Sequence, residues 1–286
     1  VFLTLPISKS GGLIARDVAV GAEPVIIQAG SDSGFKDEPE CTDVNAPGRW
    51  QFDTFVPYLC RHSTVSPQEW EGLLAHQEIL WAGDSVMWHI CRVLPTFLNM
   101  ENLVLVTERK RAPGISGIIP SRITLDPLRS NIRSTFHSAY GLWTFQNWTV
   151  SSIHRSFGTN LSKLVLNSGL HDAGWLSYPA FERELRYTVS LFRRAYPDAK
   201  IVWILAPLPH GSVRGYDYHH TPERVHRVNA IAKRVLPRIG QGVTVLDLEH
   251  MTEAYSDMMF VDNYVHPSTR FLTIIYDLLA KALASA

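Results

Sequence analysis

The chain of 286 residues predicts an α/β fold, a three-layer α/β/α sandwich around a mainly parallel five-stranded sheet, with an N-terminal arm and an irregular insert. Two observations carry this. Short apolar, β-branched-rich runs, of the kind buried on both faces of a parallel sheet, recur from residue 78 onward, and helical stretches fall between them. In addition, 45% of the residues are hydrophobic, enough at this length for one large core. We expect residues 1–40 to form the arm and 41–286 a single domain.

In chain order, the arm carries an apolar start, glycines at positions 11, 12 and 21, and a short strand candidate at 25–28, with no chemical motif. Residues 41–60 hold Pro47-Gly48-Arg49-Trp50 and Pro57, a turn-rich segment with one large anchor in Trp50. Residues 67–76 read as a short helix. Strands are expected at 78–82, 103–107, 163–167, 200–206 and 244–248, and helices at 86–98, 181–195, 222–236 and 267–283. Pro222 and Pro267 suit the first turn of the last two helices. The insert at 109–160 is the least regular part. It holds Gly114-Ile115-Ser116-Gly117 and an aromatic cluster of Tyr140, Trp143, Phe145 and Trp148. Trp143, and Trp175 further along, are the candidates for stacking on a sugar ring.

Charge excludes some partners. With 27 basic and 27 acidic residues, there is no electrostatic footprint for nucleic acid or an anionic membrane. The run Glu108-Arg109-Lys110-Arg111 reads as a solvated loop, or else as a rim for an anionic substrate. No apolar stretch is long enough to span a bilayer. The chain opens on Val1, the expectation for a trimmed form with any signal peptide or anchor outside it. Sequons at Asn147 and Asn160 suggest glycosylation and a secretory route. Cys41 and Cys60 lie in the polar, turn-rich segment and could close a loop of modest length, leaving Cys91 as a buried free thiol. An odd count of three leaves the pairing open.

The chemistry centres on Glu78-Ile79-Leu80-Trp81-Ala82-Gly83-Asp84-Ser85, which reads as a buried strand, a tight turn and a helix start. A serine there meets outward-pointing backbone amides, donors for an oxyanion beside its Oγ, although Asp84 or Ser85 could equally serve as a helix cap. In doubly wound sheets ligands sit beyond the carboxyl ends of the strands. After the third strand comes Asn167-Ser168-Gly169-Leu170-His171-Asp172, and before the last helix comes Asp262-Asn263-Tyr264-Val265-His266-Pro267-Ser268. Acyl transfer from an ester needs a serine that attacks, a histidine that carries its proton and a carboxylate that orients the histidine. Ser85, His266 and Asp262 are the residue types for those roles. Oxyanion donors would be the Ser85 amide, a glycine amide such as Gly117, and a side chain from the Asn167 to His171 stretch. His89 would share the helix face of Ser85 in a packing or supporting role. His219, His220 and His226 match no zinc-binding spacing.

The order Gly-Asp-Ser, Gly-x-His-Asp, Asp…His-Pro-Ser resembles the SGNH (GDSL) hydrolase superfamily. Its details resemble the PC-esterase branch, which includes the plant trichome-birefringence-like polysaccharide O-acetyltransferases and the luminal domain of animal sialate O-acetyltransferase. Ser85 matches the nucleophile block and His266 the final block. The cysteine-flanked segment with Gly48-Arg49-Trp50 and Asp53 is similar to the one that precedes the nucleophile block in that branch. The resemblance covers roughly residue 41 to the C-terminus. It departs from the pattern twice: His171 stands where the superfamily usually has an oxyanion-binding asparagine, and Asn263 stands three before His266, where the aspartate is usual. The second side-chain donor is therefore His171 or Asn167. Either Asp262 reaches the imidazole through a one-residue bulge, the reading we favour, or a backbone carbonyl orients a Ser-His dyad.

The resemblance implies an SGNH-like catalytic domain, a secreted or luminal serine O-acyl esterase acting on acetylated glycan or polysaccharide, with no cofactor and no metal. The alternatives are a glycan O-acetyltransferase using the same acyl-enzyme and a carbohydrate-binding protein that keeps the fold without catalysis.

Overall fold

The computed structural model describes residues 13–14, 26–27, 38–51, 54–97, 133–138, 141–142, 145, 161–209, 220–239, 242–253 and 266–284. Apolar runs become the sheet. Strands β5 (Glu78–Gly83), β6 (Arg133–Ser138), β7 (Lys163–Asn167), β8 (Lys200–Ile204) and β9 (Val243–Leu246) form one parallel sheet in the order β6-β5-β7-β8-β9. The three central strands are buried from their second residue on, including Trp81 and Trp203, which is why each reads as a continuous apolar run.

One strand of the sheet lies where none was expected. Residues 103–107 lie outside the described residues. The neighbour of β5 is Arg133–Ser138, inside the insert expected to be irregular. Among the described residues β6 stands at the edge of the sheet, and its sequence, Arg-Ser-Thr-Phe-His-Ser, has no continuous apolar run and gives a weak strand signal.

Helices cover both faces. α1 (Pro67–Leu74), α2 (Ser85–Phe97) and α7 (Thr269–Ala284) pack together in one layer, while α3 (Leu170–Trp175), α4 (Tyr178–Ala195) and α5 (Pro222–Ile239) pack in another; α6 (Glu249–Glu253) is a short helix after β9. Helix starts follow hydroxyl caps more closely than prolines. α7 begins two residues after Pro267, because Ser268 accepts the Phe271 N–H at 3.3 Å and its carbonyl accepts from Leu272. α4 begins at Tyr178 rather than 181, capped by Ser177 with Pro179 in its first turn.

The arm contributes a two-residue antiparallel pair, β1 (Leu13–Ile14) with β2 (Ile26–Ile27), the latter within the expected strand. The next segment is a hairpin, β3 (Gly48–Gln51) with β4 (Thr54–Pro57), closed by a Cys41–Cys60 disulfide; Cys91 is free and buried. Gly48 is required there, since a Cβ would sit 2.5 Å from the Val56 carbonyl oxygen. This segment covers the end of the sheet beside β9. Asn45 Nδ2 donates to the Val245 carbonyl at 2.8 Å, Asn45 Oδ1 accepts from the Asp247 N–H at 2.7 Å, and Trp50 Nε1 donates to the Met251 carbonyl at 2.7 Å. Trp50 also meets Phe55 and Phe271 edge-on. It is the anchor the sequence marks.

Among the described residues, no helix is long and apolar enough to cross a membrane.

Candidate active site

In chain order the sheet runs second, first, third, fourth, fifth. The direction of winding therefore reverses between β5 and β7, and a doubly wound sheet opens its crevice at that point, beyond the carboxyl ends. Ser85 leaves the end of β5, and His171 follows the end of β7. The loop before α7 brings a third group, and His266 Nε2 stands 2.8 Å from Ser85 Oγ. Residues 181 positions apart are thus within hydrogen-bond reach of each other, both half-buried.

The backbone leading to Ser85 is dictated by contact. A Cβ on Gly83 would lie 2.8 Å from Met87 Cβ and 3.0 Å from Asn167 Cβ and O, so glycine is needed because α2 and β7 press against the end of β5. A left-handed turn at Gly83 is not the reason; among described glycines positive φ occurs at Gly169 (135°) and Gly242 (78°). Asp84 is the cap. Its Oδ1 accepts the Val86 N–H at 2.9 Å, which leaves the Ser85 hydroxyl out of the capping role.

Gly169 precedes α3, and its φ favours glycine. α3 is fixed at both ends. Arg224 Nε, from α5, donates to the Ala173 carbonyl at 2.6 Å, and the buried Asp172 accepts the Leu142 N–H at 2.9 Å and the Ser168 hydroxyl. His171, half-buried, meets His220 edge-on with ring centroids 5.4 Å apart.

Of the two candidate side-chain donors, Asn167 uses one N–H of its amide within the sheet. It is fully buried, and its Nδ2 donates to the Ile204 carbonyl at 3.1 Å. His171 is the one near the charged groups of the site. Burial pushes the Asp84 carboxyl upward from its ordinary range, and it is drawn back by His171, by the Val86 N–H and by His266. Asp84 is therefore within electrostatic reach of both imidazoles. Sequence reading leaves it as a helix cap and does not find this second relation, because both histidines arrive from distant segments.

Burial also pushes the Asp172 carboxyl up, to about 6, against the pull of the Ser168 and Leu142 hydrogen bonds. The native state then holds a proton that the unfolded chain has released, between about pH 4 and pH 6. The stabilisation is complete below that window and lost as pH rises through it, by about 3 kcal/mol. Asp172→Asn keeps an acceptor for Leu142 and adds no charge. It is expected to leave stability at pH 4 unchanged and raise it by about 2 kcal/mol at pH 7.5, read from urea unfolding at the two pH values. An unchanged pH slope would show that Asp172 is not the group responsible.

Trp175, at the end of α3 and four residues after His171, is 74% exposed. Asp262, Gly117, Trp143, Asn147 and Asn160 lie outside the described residues.

No protein-family model matches the chain, and no curated protein matches it in sequence. Solved structures match its fold. A peptidoglycan O-acetylesterase superposes with a TM-score of 0.52 at 14% identity, over 77% of this chain and 95% of that one. A protein from Streptococcus pneumonia, named for platelet activating factor, superposes with a TM-score of 0.50 at 14% identity, over 76% of this chain and 90% of that one. The chain shares the fold of these two solved structures. At that identity the likeness is one of architecture. What this fold does in this chain follows from the crevice itself.

Proposed function

We propose that the chain is a serine-dependent O-acyl esterase that removes small acyl groups, acetyl foremost, from carbohydrate hydroxyls. The observation that carries the reading is the 2.8 Å contact between Ser85 Oγ and His266 Nε2 at the point where the sheet reverses.

In this mechanism Ser85 Oγ attacks the ester carbonyl carbon as its proton passes to His266 Nε2. The carbonyl oxygen becomes an oxyanion, met by the Ser85 N–H, by a Gly117 amide and by His171. Collapse breaks the bond to the sugar oxygen, which takes the proton from His266. Water then attacks the acyl-Ser85, gives its proton to His266 and releases the carboxylic acid, and Ser85 recovers its proton. Asp262 orients the imidazole, and Asp84 adds buried negative charge near it when the ring becomes cationic.

The carbohydrate part of the reading is supported by Trp175, an exposed aromatic surface of the sort that stacks on sugar rings, and by the peptidoglycan O-acetylesterase that shares the fold. A secreted or luminal location is supported by the Cys41–Cys60 disulfide, which persists in oxidising compartments.

The test is acetate release from p-nitrophenyl acetate and from a panel of acetylated polysaccharides. Trp175→Ala is expected to raise KM about 10-fold on the polysaccharide it serves and to change KM for p-nitrophenyl acetate far less, since the small ester offers no sugar to stack. Equal effects on both would remove Trp175 from glycan binding. Acetyl movement between glycans without free acetate would make the chain a transferase.

A further inference from the structure

The imidazole that faces Ser85 is itself covered by a second one. His89 lies four residues after Ser85, one turn along α2, on the same helix face. Its ring stacks on His266 with centroids 4.4 Å apart and planes 15° from parallel. The two rings come from α2 and from the loop that opens α7, and these helices pack on each other, so both ends of the stack are held by the fold.

We infer that His89 is a positioning residue: its ring face holds His266 in the orientation that aims Nε2 at Ser85, and stabilises that imidazole while it carries the serine proton. The inference rests on the serine mechanism proposed above. Two physical arguments lead to it. Rotation of an imidazole about its last side-chain torsion has only a broad preference, so the ring plane depends on what packs against its face, and a parallel neighbour fixes it. The face of an aromatic ring is also the negative side of its quadrupole, so a cation forming against it is attracted, more strongly where water is partly excluded. Both rings here are half-buried. What matters on this account is a flat, uncharged π face.

Three variants separate this role from packing. His89→Leu fills similar space without a π face, His89→Ala removes it, and His89→Phe keeps the face. With p-nitrophenyl acetate, His89→Ala and His89→Leu are expected to lower kcat about 10-fold with little change in KM, and His89→Phe to restore most of it. The His266 ring 13C–1H signal is expected to lose its ring-current shift in the Ala and Leu variants and keep one in Phe, a readout that needs no turnover and that packing alone would not restore. Thermal midpoints check that each variant folds.

The inference is overturned if kcat is unchanged in His89→Leu, if the loss appears in KM, if His89→Phe is no better than leucine, or if the native His266 signal shows no ring-current shift. Labelling by a fluorophosphonate tells its failure from that of the underlying mechanism. A native chain that labels at Ser85, with variants that label equally fast, defeats the role of His89 alone. A chain that does not label at Ser85 defeats the serine reading and this inference with it.

Discussion

Ser85→Ala is expected to lower kcat for p-nitrophenyl acetate by about five orders of magnitude, with fluorophosphonate labelling abolished and the thermal midpoint almost unchanged. The activity loss follows from removing the atom that forms the acyl-enzyme, for which neither His266 nor the oxyanion donors can substitute. The unchanged stability follows from Asp84. It is the aspartate, with Oδ1 2.9 Å from the Val86 nitrogen, that caps α2, so the serine hydroxyl leaves the helix start intact when it is removed. Asp84→Ala should show the reverse emphasis, since it strips the cap. Turnover retained in Ser85→Ala to within about 10-fold would mean the ester is hydrolysed elsewhere, and the serine reading would fall.

The strand–turn–helix that ends at Ser85 was legible because everything that specifies it is local. An apolar run ending in Gly-Asp-Ser, followed by a helical stretch, needs only neighbouring residues to become β5, a cap and α2. The central strands β7 and β8 were legible for the same reason, since a strand buried on both faces writes its burial into consecutive residues. β6, at the edge of the sheet among the described residues, was not, because its sequence is largely polar and carries no continuous apolar run. The disulfide stood open at the level of sequence and is closed by geometry, the hairpin bringing the Cα atoms of Cys41 and Cys60 to 5.0 Å.

The motif glycines show a subtler limit. Both are marked by sequence, but their reasons differ: Gly169 needs its backbone conformation, and Gly83 needs the space that Met87 and Asn167 occupy. Asn167 itself reads by position as one of two candidate oxyanion donors, and its bond to the Ile204 carbonyl across the sheet is a contact that depends on register. Likewise helical spacing puts His89 on the face of Ser85, but only the arrival of the chain 177 residues later gives it a ring to stack on.

His266→Gln should match the loss in Ser85→Ala to within about 10-fold, and the double variant should be no slower than the slower single one. Glutamine can occupy the space and accept a hydrogen bond from Ser85, but it cannot take a proton near neutral pH, so the serine is left as a poor nucleophile. Two groups that act in one proton transfer lose their contribution together, and removing the second after the first takes nothing more. Additive losses would instead mean that His266 acts apart from Ser85, for instance by binding the substrate. Asp262→Asn completes the series. If the aspartate orients the imidazole, its loss should cost about three orders of magnitude by favouring the wrong tautomer. A loss under about 10-fold would leave the orientation to a backbone carbonyl and to the stacked ring of His89.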